Sequence, residues 1–128
     1  MKLRLILCAI LFLICSLAVA DNFSDFKQPI VITKNNPTFF IKLKSNPTTG
    51  FSWFLISYDH NLIEPISHKY YVPDTKLIGA GGYEKWIFKV KSAAFLMPQV
   101  TEITMAYTRP WNLENYKPII FKVVINDS

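Results

Sequence analysis

Apolar residues in this chain recur at every second position over long stretches and almost nowhere at intervals of 3.6, and that period confines the chain to β structure. Phe39, Ile41 and Leu43 share one face while Lys42 and Lys44 take the other. Phe51, Trp53 and Leu55 form a second inward set, and Trp86, Phe88 and Val90 a third within 83–91. Ile103, Met105 and Tyr107 repeat the pattern, Ile119, Phe121, Val123 and Ile125 close the chain, and Ile30 to Lys34 adds a further run. At least six strands follow.

Asn46-Pro47, Pro73-Asp74, Gly79 to Gly82, Pro98 and Arg109-Pro110 cut these runs into short segments. Short alternating strands joined by such turns predict an all-β, antiparallel β-sandwich of the immunoglobulin-like kind. Trp53 stands just after a turn and early in a strand, as the core tryptophan of immunoglobulin-like sandwiches does, but no cysteine pair flanks it. The sandwich is therefore expected without a disulfide. Neither an internal repeat nor a low-complexity tract divides the chain.

Residues 1–20 stand apart from that pattern. Lys2 and Arg4 precede an apolar run from Leu5 to Leu17, and Ala18-Val19-Ala20 supplies a small-x-small site. This reads as a cleaved secretory signal peptide, since the run is shorter than the roughly 20 residues a membrane-spanning helix needs. One domain over 21–128 is expected, secreted or periplasmic, with no membrane association after cleavage. Both cysteines, Cys8 and Cys15, fall in the leader. The remaining domain would hold no thiol in an oxidising compartment, so its stability must come from its core. Without Lys2 and Arg4 the 14 basic residues fall to 12 against 9 acidic ones, and the net charge falls from +5 to +3. Lys42, Lys44, Lys85, Lys89 and Lys91 alternate with apolar residues, as on solvated strand faces, which argues against a nucleic-acid surface.

Catalytic chemistry is sparse. His60 and His68 are the only histidines, neither at metal-ligand spacing with another donor. Asp59-His60 and Glu64 read as a polar surface loop. The chain contains no nucleophile elbow, and Gly79-Ala80-Gly81-Gly82 lacks the strand-to-helix context and the Lys-Ser/Thr ending of a phosphate cradle. No enzymatic activity, cofactor or metal is expected.

Three loops stand out instead. In Ser45-Asn46-Pro47-Thr48-Thr49-Gly50, proline fixes its own φ and pushes Asn46 extended, the threonines are stiff, and Gly50 can take a positive φ. A plain turn needs the proline and the glycine but leaves the two threonines unaccounted for. The second loop, Asp74 to Gly82, leads from Leu77 and Ile78 into a nearly bare backbone that can lie against another chain, or can simply be flexible. The third, Tyr107-Thr108-Arg109-Pro110-Trp111, sets an aromatic beside an arginine on a proline-braced turn, a pairing common in binding hot spots. Its plainer reading makes Trp111 part of the core.

Taken in order, Asn46-Pro-Thr-Thr-Gly50, Gly79-Ala-Gly-Gly82 and Arg109-Pro-Trp111 resemble the three loop motifs of the chagasin family of cysteine-peptidase inhibitors. The flanks Phe51-Ser-Trp53 and Asp74-Thr-Lys-Leu-Ile78 are similar as well, so the resemblance spans essentially all of 21–128. It implies an immunoglobulin-like sandwich, a monomer when free, that blocks the cleft of a papain-like cysteine peptidase reversibly and without a covalent step. It further implies that Thr48 and Thr49 cover the catalytic Cys-His pair. Ile78 and Gly79 to Gly82 would follow the unprimed side, and Arg109, Pro110 and Trp111 the primed side. Two rival expectations are an extracellular carbohydrate-binding or adhesion sandwich, with Trp111, Tyr70 and Tyr71 as sugar platforms, and a structural subunit of an envelope assembly.

Overall fold

The computed structural model describes residues 23–72 and 81–127. The expected leader, both cysteines and Ile78, Gly79 and Ala80 lie outside these residues. Among the described residues seven strands form two layers: β1 (Ile30–Thr33), β2 (Thr38–Ser45), β3 (Ser52–Tyr58), β4 (Ile63–Tyr71), β5 (Gly82–Val90), β6 (Gln99–Thr108) and β7 (Pro118–Asn126). One sheet runs β1-β7-β6-β3 and the other β2-β5-β4. The immunoglobulin-like sandwich is thus present, with one departure from the antiparallel expectation: β1 pairs parallel with β7.

The inward sets read from the alternation meet in the middle. Ile41, Phe88, Ile103, Met105, Val123 and Ile125 are each fully or almost fully removed from water. Burial on this scale, at about 25 cal/mol per Å2 of apolar surface, can hold a domain of this size without cross-links. Ala94 and Phe95, in a 3₁₀ turn after β5, join the same core.

Three local details depart from the alternation. Strand β3 carries a bulge at Ile56, so that Tyr58 pairs with the inward Ile103 where Ser57 pairs with Thr104. An extra residue reverses the facing of everything after it. Strand β4 covers Glu64, which was expected in a loop; it is a sheet edge exposed along most of its length, with Pro65 beside its own register shift. Edge strands tolerate proline and bury too little to show a period. Lys42, expected on a solvated face, is only 6% exposed. Its backbone donates to Ser24 Oγ at 2.9 Å and accepts from the Ser24 N–H at 2.9 Å, so the arm before β1 seals the outer edge of β2 and lays Phe23 over the lysine.

Candidate functional site

Register alone brings the loop ends together. Ser45 at the end of β2 pairs with Gly82 at the start of β5, and Tyr71 at the end of β4 pairs with Tyr83. In the other sheet Ser52 at the start of β3 pairs with Thr108 at the end of β6, and Ala106 pairs with Pro118 at the start of β7. The β2–β3, β4–β5 and β6–β7 connections therefore leave from one end of the sandwich.

The first connection is a closed turn. Pro47–Thr49 make one 3₁₀ turn, with Asn46 at φ −133° and ψ 86°, short of a fully extended conformation, and Gly50 left-handed at φ 80°. The Asn46 carbonyl accepts from the Thr49 N–H at 3.2 Å and from the Thr49 hydroxyl at 2.7 Å, and the Pro47 carbonyl accepts from the Gly50 N–H at 3.1 Å. Thr48 donates its hydroxyl to Asn46 Oδ1 at 2.6 Å. Both threonines thus have a structural task in bracing the turn, which the sequence reading did not allow them, while both stay exposed.

Tyr107, not singled out from sequence as a site residue, fixes this turn to the frame. Its hydroxyl accepts the Asn46 N–H at 3.0 Å, and its ring lies against Trp53 (5.0 Å between centroids) and Phe51 (5.4 Å). Trp53 in turn donates from Nε1 to the Lys44 carbonyl at 2.8 Å, so the entry to the turn is held twice by the β3–β6 pair. The available signal was the tyrosine's inward register at a strand end, where its hydroxyl needs a partner.

In the third connection the motif splits. Trp111 is 71% exposed and is not core. Arg109 folds back instead: its guanidinium lies 4.8 Å from the Phe51 ring centroid and 5.9 Å from that of Trp111, and its Nε is buried with no acceptor among the described residues. An orphaned donor costs about 1–3 kcal/mol, which the two ring contacts offset in part. A 3₁₀ segment, Pro110–Asn115, carries Trp111, and the Asn112 N–H closes on the Arg109 carbonyl at 2.9 Å. First and third loops touch: a methyl group at Gly50 would meet the Trp111 ring at 3.5 Å and Arg109 Nε at 3.9 Å.

Of the second loop, Gly81 and Gly82 are described. Gly82, expected in the loop, is the first residue of β5, and a Cβ there would collide with the Tyr71 carbonyl. Gly81 lies against the first loop, where a Cβ would stand 3.2 Å from the Ser45 carbonyl and 3.3 Å from Asn46 Cβ. Between the two loops opens a crevice of about 370 Å3, lined by Phe23, Lys44, Ser45, Asn46, Gly81, Gly82 and Tyr107. Tyr70 and Tyr71, expected as exposed sugar platforms, are half-buried, and Tyr71 stacks on Tyr83 at 4.8 Å. Among the described residues no group of three or more His, Cys, Asp or Glu could hold a metal ion.

The sequence profile described as Chagasin family peptidase inhibitor I42 matches residues 33–125. The chain belongs to the chagasin family. Chagasin of Trypanosoma cruzi is 37% identical over 75 residues, which cover 56% of this chain and 64% of that relative. The chagasin-family fold is shared by two solved structures, each at 22% identity. The cysteine protease inhibitor EhICP2 of Entamoeba histolytica superposes with a TM-score of 0.55 over 76% of this chain and 84% of its own. Amebosin does so with a TM-score of 0.50 over 77% of this chain and 98% of its own.

Proposed function

We propose that this protein is a reversible, non-covalent competitive inhibitor of papain-like cysteine peptidases and blocks the enzyme cleft with its three clustered loops. The observation that carries the reading is the closed Asn46–Gly50 turn beside the exposed Trp111, at one end of a chain of this inhibitor family. A peptidase attacks an extended substrate whose carbonyl can enter its oxyanion hole. In this turn the carbonyls of Asn46 and Pro47 already accept hydrogen bonds from Thr49 and Gly50, and the backbone is curled. The turn can fill a cleft while offering no bond in attack geometry, so neither cleavage nor a covalent adduct is required.

In the assignment we favour, Thr48 and Thr49 cover the catalytic Cys-His pair. Ile78, Gly79, Ala80, Gly81 and Gly82 take the unprimed side, and Pro110 and Trp111 the primed side with Arg109 as their support. The first and third loops, held in this way, lose little conformational entropy on docking, and protease–inhibitor interfaces bury about 800 Å2 per partner. We further propose that residues 1–20 are removed on secretion, leaving a monomeric domain over 21–128 in the periplasm or outside the cell. No helix among the described residues is long and apolar enough to cross a membrane.

Titration of papain with the purified protein tests the proposal. Turnover should fall stoichiometrically, trypsin should be unaffected, and intact protein should be recovered from the complex. Equal inhibition of both enzymes, or an acyl adduct in mass spectra, would overturn it. N-terminal sequencing of the exported protein should begin near Asp21.

A further inference from the structure

The two outer faces of the sandwich differ sharply in charge. On the β1-β7-β6-β3 sheet the outward strand positions carry one lysine and one glutamate, Lys122 and Glu102, placed opposite each other. On the β2-β5-β4 sheet the alternation that keeps lysines apart in sequence gathers them. Lys42, Lys85 and Lys69 are direct cross-strand neighbours, with Lys44 one outward position toward the loops and Lys89 two outward positions toward the far end, opposite Glu64. Among the described strand residues, five lysines share this face with one outward carboxylate, Glu64, and of the five Lys42 is buried under the arm before β1.

Like charges directly opposite in a sheet are destabilising, so folding gives no reason for this row. Aromatic rings relieve it. Lys42 Nζ lies 4.3 Å from the Tyr83 ring centroid, Lys85 Nζ 4.2 Å from that of Phe40, and Lys69 Nζ 5.2 Å from that of Tyr71. The ammonium groups are thereby held in place, and the rings beneath them are capped.

We propose that the outer face of the β2-β5-β4 sheet is a docking surface for an anionic polysaccharide, one bearing sulfate or uronate groups, bound by Lys69, Lys85 and Lys89. Capped rings leave no bare platform for stacking a nucleobase, and Phe40 lies under an ammonium group instead of projecting past it as a membrane-inserting side chain would. What the face offers is a pair of point charges, Lys69 and Lys85, about 4.8 Å apart across the strands, with Lys89 further along β5, which suits a chain of fixed anionic groups. Such recognition is by charge, unlike the ring stacking expected of Tyr70 and Tyr71. The strands run through this face toward the loop end, so an occupied face leaves the loops open.

Heparin serves as the probe, with the intact protein and two triple variants of equal charge change. Lys69→Gln, Lys85→Gln and Lys89→Gln together should weaken heparin binding at least about tenfold, each lysine near an anionic surface being worth about 1 kcal/mol before screening. Lys27→Gln, Lys117→Gln and Lys122→Gln together should leave it within about twofold. Equal losses in the two triples would reduce the effect to net charge and overturn the proposal. So would binding of phosphatidylglycerol vesicles or of a single-stranded oligonucleotide as tight as that of heparin. Papain inhibition by the first triple should match the wild type. A failure of the inhibitor reading, in which no variant inhibits papain, would leave the heparin comparison intact.

Discussion

The first and third loops stand side by side at the same end of the sandwich and are built on opposite principles. The Asn46–Gly50 turn satisfies its own polar groups: two threonine hydroxyls and two turn amides are used internally, and Tyr107 bolts it to β6. The Arg109–Asn115 segment leaves its largest side chain, Trp111, in water and spends Arg109 on holding it there. One loop supplies shape through rigidity and the other supplies apolar area. Their contact at Gly50 makes them a single surface, since a position with φ 80° lies directly against the Trp111 ring.

The sharpest test of this division compares two tryptophans. Trp53 packs on the core and on Tyr107, so Trp53→Ala should cost about 3 kcal/mol in denaturant unfolding, the low end for a tryptophan truncation because the side chain is only half-buried. Trp111→Ala should leave the melting temperature nearly unchanged and cost about 2 kcal/mol in binding, a roughly thirtyfold rise in the papain inhibition constant. If Trp111→Ala unfolds the domain as badly as Trp53→Ala, the contrast between the loops is wrong. At the seam, Gly50→Ala forces an L side chain into left-handed backbone for about 1–2 kcal/mol. Its effect should appear in thermal unfolding and inhibition together, because relief of the backbone strain moves a turn that packs against Trp111. A variant that changes neither would uncouple the two loops. Thr48→Val should have the smallest effect, about 0.5 kcal/mol, from one exposed hydrogen bond, read as faster amide exchange in the turn with little change in global stability. Global destabilisation by Thr48→Val would instead make the turn part of the folding core.

Much of the frame was legible along the chain because burial on one face of a strand imposes a local period. Phe39, Ile41 and Leu43, the 86–90 set and the 119–125 set all lie where the alternation places them. Strand β4 was not legible, since an edge strand with its side chains in water has no reason to alternate. The site divides similarly. Proline and glycine announced the bend at 46–50, and the left-handed Gly50 could be expected, but the use of the threonine hydroxyls depended on turn geometry.

By itself the sequence determined the all-β class, the sandwich, the turn residues and the three motifs, because these depend on neighbours within a few positions. Tertiary structure alone decided what lies across from what. It put Tyr107 under Asn46, folded Arg109 back over Phe51, closed the Phe23–Ser24 arm over Lys42, and turned lysines scattered along the chain into one charged face. These outcomes depend on strand register and sheet order, set by pairings between residues tens of positions apart, and a period of two looks the same along the chain whichever strand lies beside it.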